Sequence, residues 1–153
     1  MSDLDHDTMI NLLQTAREGV MAMCDVGRPY CLPFGYVYLD GSVYISLFPT
    51  GRKWQCLQQN PRVCFSVFAW NDDRTRWQSV VIDGEILLIS DLERIRRVVQ
   101  ANMLKIGIDA SSQYIEKRMR HYQEALGSPD GLKIIEIRAT TMGGKSMAAV
   151  AGR

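Results

Sequence analysis

Apolar residues follow two rhythms along this chain. Met9, Ile10, Leu12 and Leu13 recur at helical spacing and predict a helix over Asp7 to Glu18, with Asp7 as its N-cap and Gly19 as its end. From there the rhythm shortens. Val20 to Val26 reads as a strand, Gly27-Arg28-Pro29 as a turn, and Tyr30 to Leu39 as a second strand rich in aromatic and branched residues. Asp40-Gly41 between apolar runs predicts a two-residue hairpin of type I′, with Ser42 to Leu47 as the returning strand. After a break at Pro49-Thr50-Gly51, Arg52 to Gln59 predicts a short helix, stopped by Asn60-Pro61.

In the next stretch, Arg62 to Trp70, Val63, Phe65 and Val67 alternate with Arg62, Cys64 and Ser66, which predicts a half-buried strand. The polar loop Asn71-Asp72-Asp73-Arg74 leads into a long strand from Arg76 to Ile89. Ser90, with Glu93 three residues on, predicts a capping box for a helix whose buried face is Ile95, Val98, Val99 and Met103. A second helix is predicted over Ser112 to Leu126 and a last strand over Leu132 to Arg138. The small residues of Met142 to Arg153 predict a flexible tail. The strands are mostly hairpin-connected and show no regular βαβ alternation. The expected fold is therefore mainly β with α: an antiparallel barrel or curled sheet with helices packed outside, not a Rossmann-type sheet.

Composition narrows this picture. The 153 residues predict one domain over 1–153, with 46% hydrophobic residues to supply its core. A formal net charge of +1 gives no broad basic field for nucleic acid or anionic membrane, and no apolar run reaches transmembrane length. The acidic, polar start Met-Ser-Asp-Leu-Asp-His-Asp is unlike a secretory signal, so a cytoplasmic protein is expected. Cys24, Cys31, Cys56 and Cys64 form no C-x-x-C pair, and the histidines are His6 and His121, so no zinc or iron–sulfur site is expected. Each cysteine sits in an apolar context and reads as a buried, reduced thiol. Tyr30, Phe34, Tyr36, Tyr38 and Phe48 fall in or beside strands and read mostly as core. With three tryptophans in a barrel this small, part of the aromatic surface is expected to bury against a second copy of the chain.

The first chemical signal is Pro49-Thr50-Gly51-Arg52-Lys53, where a strand ends and a helix starts. Unpaired N–H groups and the positive dipole end make such a terminus an anion site, to which Thr50 adds a hydroxyl. Two cations in a first helical turn each cost about 0.3 to 1 kcal/mol when exposed, so Arg52 and Lys53 together point to an anion that neutralises them. A phosphate fits, gripped by a planar fork and a point charge. The other reading leaves both side chains in solvent. The second signal is Arg76-Trp77-Gln78-Ser79-Val80-Val81-Ile82-Asp83-Gly84, an apolar strand that opens with hydrogen-bonding Gln78 and Ser79. These are ligand contacts or ordinary strand polar residues.

Taken in order, the Asp-Gly hairpin, Thr50-Gly51-Arg52-Lys53, Leu57, Asn60-Pro61-Arg62-Val63-Cys64-Phe65, Trp77-Gln78-Ser79-Val80 and Gly84 resemble the pyridoxamine 5′-phosphate oxidase-related flavoproteins, particularly the branch containing the nitroimidazole-resistance proteins. The resemblance spans Arg17 to Ser90 and extends to Gly144-Lys145. It implies a six-stranded antiparallel split β-barrel that forms a homodimer with FMN between the subunits. Arg52 and Lys53 would bind the FMN phosphate with help from Thr50 and Gly51. Ser46 and Leu47 would lie beside the flavin, Gln78 and Ser79 would contact its ring, and Pro33, Phe34 and Gly35 would wall the pocket. Ser46 stands where the nitroimidazole-resistance branch often has a histidine, so histidine-dependent chemistry is not implied. The C-terminal arginine and tryptophan groups of the true oxidases have no counterpart in this tail, so vitamin B6 oxidation is not implied.

The function expected on this basis is an FMN-dependent oxidoreductase of a small molecule. The alternatives are a non-catalytic flavin, deazaflavin or haem carrier, and an empty barrel with a structural role. Any substrate selectivity is expected in Leu92 to Leu126, the part least like the family.

Overall fold

The Asp40-Gly41 turn has positive φ at both residues, 50° and 81°, as a type I′ hairpin demands. In this computed structural model, which describes residues 1–108 and 111–149, the turn joins β4 (Val37–Leu39) to β5 (Ser42–Leu47), with Leu39 opposite Ser42. The remaining elements in chain order are β1 (Ser2–Asp3), α1 (His6–Thr15), β2 (Glu18–Asp25) and β3 (Arg28–Gly35) before the hairpin. After it come α2 (Gly51–Gln59), β6 (Arg62–Trp70), β7 (Arg76–Ile89), α3 (Leu92–Ile106), α4 (Ser112–Leu126) and β8 (Lys133–Ala148).

All strand pairings are antiparallel, in the order β3-β2-β6-β7-β8-β5-β4, with β1 added beside β8. Strand β7 carries the sheet: it pairs with β6 up to Glu85 and with β8 along its whole length. A register shift at Asp83/Gly84 lets this long pair bend. Gly84 is required there, because a Cβ would lie 2.4 Å from the carbonyl oxygen of Arg138.

Strand alternation splits the apolar residues between two cores. Met21, Val43, Ile45, Phe65, Val67, Val80, Ile82, Ile135 and Ile137 face inward and are almost wholly buried, and Met9, Leu12 and Leu13 of α1 pack against them. Phe65 is central: Tyr36 meets it edge-on with ring centroids 5.0 Å apart, and a Cβ at Gly19 would stand 2.2 Å from its ring. On the outer face, Tyr44 and Ile134 pack under α3 and α4 with Ile95, Val98, Val99, Met103, Ile115, Met119 and Tyr122.

Among the described residues the sheet has eight strands where the sequence predicts six. The predicted strand Tyr30 to Leu39 breaks at Tyr36, whose side chain turns into the core and whose hydroxyl donates to Leu13 O at 2.5 Å. The two-residue β1 supplies the other addition. The first helix starts earlier than expected, because Asp5 and not Asp7 is its N-cap, accepting from Thr8 N at 2.8 Å. Asp91, not Ser90, caps α3 by accepting from Glu93 N at 3.0 Å, so no Ser90–Glu93 box forms.

The largest difference is the tail. Met142 to Ala148 is not flexible chain but the second half of β8, paired with β7 from Ile82 back to Arg76. Gly144 is small because α1 and the N-terminal segment lie over it: a Cβ there would meet Met9 Cγ at 2.8 Å and Leu4 Cδ1 at 3.0 Å. Residues 150–153 of the expected tail lie outside the described residues. The cysteines also differ from expectation. Cys56 is buried and Cys64 half-buried, but Cys24 and Cys31 are exposed on the outward side of β2 and β3, and all are free thiols. Phe48 is exposed as well. Among the described residues, no helix is long and apolar enough to cross a membrane.

Candidate functional site

The turn from β5 into α2 builds the most chemically loaded end of the molecule. Leu47 points into the barrel and is buried, Ser46 points outward, and the chain then turns through Phe48-Pro49. Thr50 takes the N-cap position in an extended conformation, yet its side chain makes no capping hydrogen bond. Gly51 has φ +75°, which glycine adopts without strain. The nine-residue helix α2 carries no acidic residue in its first turn. Its leading N–H groups, the uncommitted Thr50 hydroxyl and two cations are therefore collected in one place.

Arg52 is exposed but already partnered within the chain. Its Nε donates to Asp25 Oδ2 at 2.7 Å, and its guanidinium stacks 4.0 Å from the ring centre of Tyr30. The β2–β3 hairpin thus supplies the carboxylate that α2 lacks. Lys53 Nζ donates to the carbonyl oxygen of Thr50 at 3.2 Å, which is compensation without charge. An exposed ion pair of this kind holds by no more than about 1 kcal/mol, so a doubly charged phosphate can compete with Asp25 for the guanidinium.

The other predicted site residues lie elsewhere. Gln78 and Ser79 are half-buried in β7, opposite Ala69 and Phe68 on one side and Ser146 and Lys145 on the other. Strand alternation sends Gln78 inward with Val80 and Ser79 outward with Val81. Val20, five residues along β2 from Asp25, shares a row with Ser66 and Val81, and Ser79 is two residues beyond Val81. Counted along the strands, the Ser79 row lies seven residues from the Asp25 row. Pro33, Phe34 and Gly35 end β3 at the Ser79 level, paired with Val20, Gly19 and Glu18. Ser46 and Gly35 are brought together, both lining one cavity. Among the described residues, no side-chain hydrogen bond links Gln78 or Ser79 to Arg52 or Lys53.

That cavity, about 410 Å³, lies between the sheet and the helices α3 and α4. Ser46 Oγ is 3.1 Å from the Tyr122 hydroxyl, and Tyr44 and Arg118 line the same space. Arg94 fixes the Tyr44 wall by donating from Nε to the Tyr44 hydroxyl at 3.0 Å while reaching Glu136 Oε1 at 3.4 Å. Glu136 is a buried carboxylate on β8, and Ser42 Oγ also donates to its Oε1, at 2.8 Å. On the far side, Lys105 Nζ donates to Tyr36 O at 2.8 Å and lies 3.8 Å from the Tyr36 ring centre. Burial there pushes the Lys105 ammonium below its ordinary pKa. The sequence offered no sign of Tyr122, Arg118 or Glu136 as site or network residues. On helical periodicity Tyr122 and Arg118 read as one core and one surface position, and Glu136 as a polar residue inside a strand.

A second outward face is apolar. Phe68, Trp70, Val20 and Val81 are 53%, 47%, 41% and 40% exposed, and the Phe68 ring lies 6.0 Å from Trp70 and 5.5 Å from Trp77. They form a continuous patch on β2, β6 and β7, with Ser79 beside Phe68. Among the described residues, no group of three or more His, Cys, Asp or Glu side chains is placed to hold a metal ion.

Comparison with known proteins gives one family. A family model described as pyridoxamine 5′-phosphate oxidase matches residues 5–146. Solved structures share the fold. An FAD-binding protein from Mesorhizobium loti is 23% identical at TM-score 0.69, with 96% of this chain and 98% of that one covered. A candidate 5-nitroimidazole antibiotic resistance protein from Bacteroides thetaiotaomicron is 20% identical at TM-score 0.73, with 95% and 86% covered. An FAD-binding protein from Mycobacterium smegmatis is 11% identical at TM-score 0.67, with 97% and 100% covered. No curated protein sequence matches the chain. At these identities the likeness establishes the split-barrel fold.

Proposed function

This chain belongs to the pyridoxamine 5′-phosphate oxidase family, and from that premise we propose that it is an FMN-binding flavoprotein, an oxidoreductase of a small molecule that works as a homodimer with flavin held between its subunits. One observation carries the reading. The N-terminus of α2 has no acidic residue in its first turn, an uncommitted Thr50 hydroxyl, and Arg52 and Lys53 side by side. That donor set fits a phosphate monoester.

In this reading Arg52 and Lys53 grip the phosphate, with Thr50 and the Gly51 backbone completing the cradle. Ser46 offers a hydroxyl beside the ring, and Leu47 packs behind it in the barrel. Phe34 and Gly35, with Pro33, wall the groove. In this reading Gln78 and Ser79 contact the ring from the second copy. The exposed Phe68–Trp70 patch next to Ser79 supports an interface in that position. When bound, FMN supplies hydride or electron transfer, and the chain supplies position and electrostatics.

The test is retention of flavin. Purified protein is loaded with FMN, freed of excess, and read by its visible absorption spectrum, with FAD and riboflavin loaded in parallel. Wild type should retain FMN, and Arg52→Ala with Lys53→Ala should weaken FMN at least tenfold while leaving the weaker riboflavin binding unchanged. Equal retention of FMN by wild type and the double variant would overturn the phosphate assignment. A preference for FAD would replace FMN with the dinucleotide. Turnover with a nicotinamide reductant and a nitroaromatic or quinone acceptor then separates an oxidoreductase from a carrier.

A further inference from the structure

The cavity under α3 and α4 has a chemical bias of its own. Its rings are tyrosines: Tyr36, Tyr44, Tyr114 and Tyr122 all line it. Val98, Val99 and Met103 give it an apolar wall. Among the described residues that line it there is no carboxylate, and its one guanidinium, on half-buried Arg118, sits 5.7 Å from the centre of the Tyr122 ring. Arg118 is the one charged side chain among the described residues that line it.

The hydroxyls point the same way. Ser46 and Tyr122 share one hydrogen bond at 3.1 Å, which uses one of their two protons and leaves the other to donate. The Tyr44 hydroxyl accepts from Arg94 and so has its own proton to give. The cavity thus joins several donors and one cation to flat aromatic walls. At about 410 Å³ it falls in the range of small-molecule sites, roughly 300 to 1,000 Å³.

We propose that this cavity binds a small aromatic carboxylate, its carboxylate on Arg118 and its ring between the tyrosines and the Val98–Val99 wall. Its place beside a flavin, through the shared residue Ser46, rests on the function proposed above; the binding itself does not. The ligand is an anion because a half-buried guanidinium and converging donors with no acceptor of matching charge leave a neutral ligand underpaired. It is flat because the walls are rings. The helices that make the cavity are the segment Leu92 to Leu126, so the selectivity expected there has a physical seat.

The experiment uses full-length protein loaded with FMN and titrated with benzoate, and with benzamide as its neutral isostere. Binding is read by the rise in melting temperature and by the change in the flavin spectrum. Benzoate should bind saturably and at least tenfold tighter than benzamide. Arg118→Ala should lose at least tenfold in benzoate affinity and leave benzamide unchanged, and Arg118→Lys should recover part of the loss. FMN retention should be the same in all three proteins. Equal affinity for the two probes in wild type overturns the proposal without reliance on any variant. Absence of saturable benzoate binding, or an unchanged Arg118→Ala, overturns it as well. If FMN is retained and benzoate does not bind, the cavity assignment alone falls. If FMN is not retained but benzoate still binds through Arg118, the cavity assignment stands and the flavin reading falls.

Discussion

Arg52 reaches from the start of α2 to the end of β2 and donates from Nε to Asp25 Oδ2 at 2.7 Å. The residue assigned to the phosphate is thus already tied to an anion of the chain itself. The ring of Tyr30 holds it from the other side, so the guanidinium is oriented before any ligand arrives.

Asp25 therefore competes with phosphate for Arg52. Asp25→Asn should tighten FMN binding by up to about fivefold, the worth of one exposed ion pair of at most about 1 kcal/mol. Fluorescence titration of FMN into the flavin-free protein measures this. A loss of tenfold or more would show instead that Asp25 helps to build the site.

The close approaches at glycine predict where a single methyl group is not tolerated. Gly84→Ala forces its Cβ to within 2.4 Å of a backbone oxygen at the β7–β8 bulge and should cost about 3 kcal/mol. Gly127→Ala, whose Cβ meets nothing closer than Glu124 O at 3.5 Å, should stay within about 0.5 kcal/mol of wild type. Urea unfolding of the two variants decides, and equal costs would contradict the register shift.

Tyr36 couples stability to alkaline pH. Burial raises its phenol well above the ordinary value, and its hydroxyl donates to Leu13 O. A folded pKa above the unfolded one gives stability that is fully present below about pH 10, where unfolded tyrosine ionises, and is lost as pH rises beyond it. Tyr38 and Tyr44 are raised by burial in the same direction. Tyr36→Phe should be less stable than wild type by about 1 kcal/mol at pH 7 to 9, from the lost hydrogen bond. The gap should narrow from about pH 10 upward. Melting curves that stay parallel to pH 11 would refute the assignment.

The Phe68–Trp70 patch predicts the assembly. Phe68→Glu places a charge among apolar residues that a second copy would desolvate, which costs several kcal/mol at an interface. Sedimentation at micromolar protein should give a dimer for wild type and a monomer for the variant, and the monomer should lose FMN retention. A wild-type monomer would leave the patch without its proposed partner.

Much of the fold was legible because its signals are local. The Asp40-Gly41 hairpin, the stop at Asn60-Pro61, the alternation of Val63, Phe65 and Val67 and the stripe Ile95, Val98, Val99, Met103 each depend on backbone preference and on which face is buried, and both repeat within a few residues. The order of motifs was enough to reach the family. Tertiary structure decided what distance along the chain conceals. Gly144 looked like loose tail because small residues carry no pattern, yet its smallness is what lets α1 lie over β8. The helix starting at Gly51 showed two uncompensated cations, and only the fold brought Asp25 and Tyr30, more than twenty residues earlier, to one of them. Ser46 and Tyr122 are 76 residues apart in sequence and 3.1 Å apart in space. Periodicity reports which face of an element is buried, but not which other element buries it, and a binding site is made of that second fact.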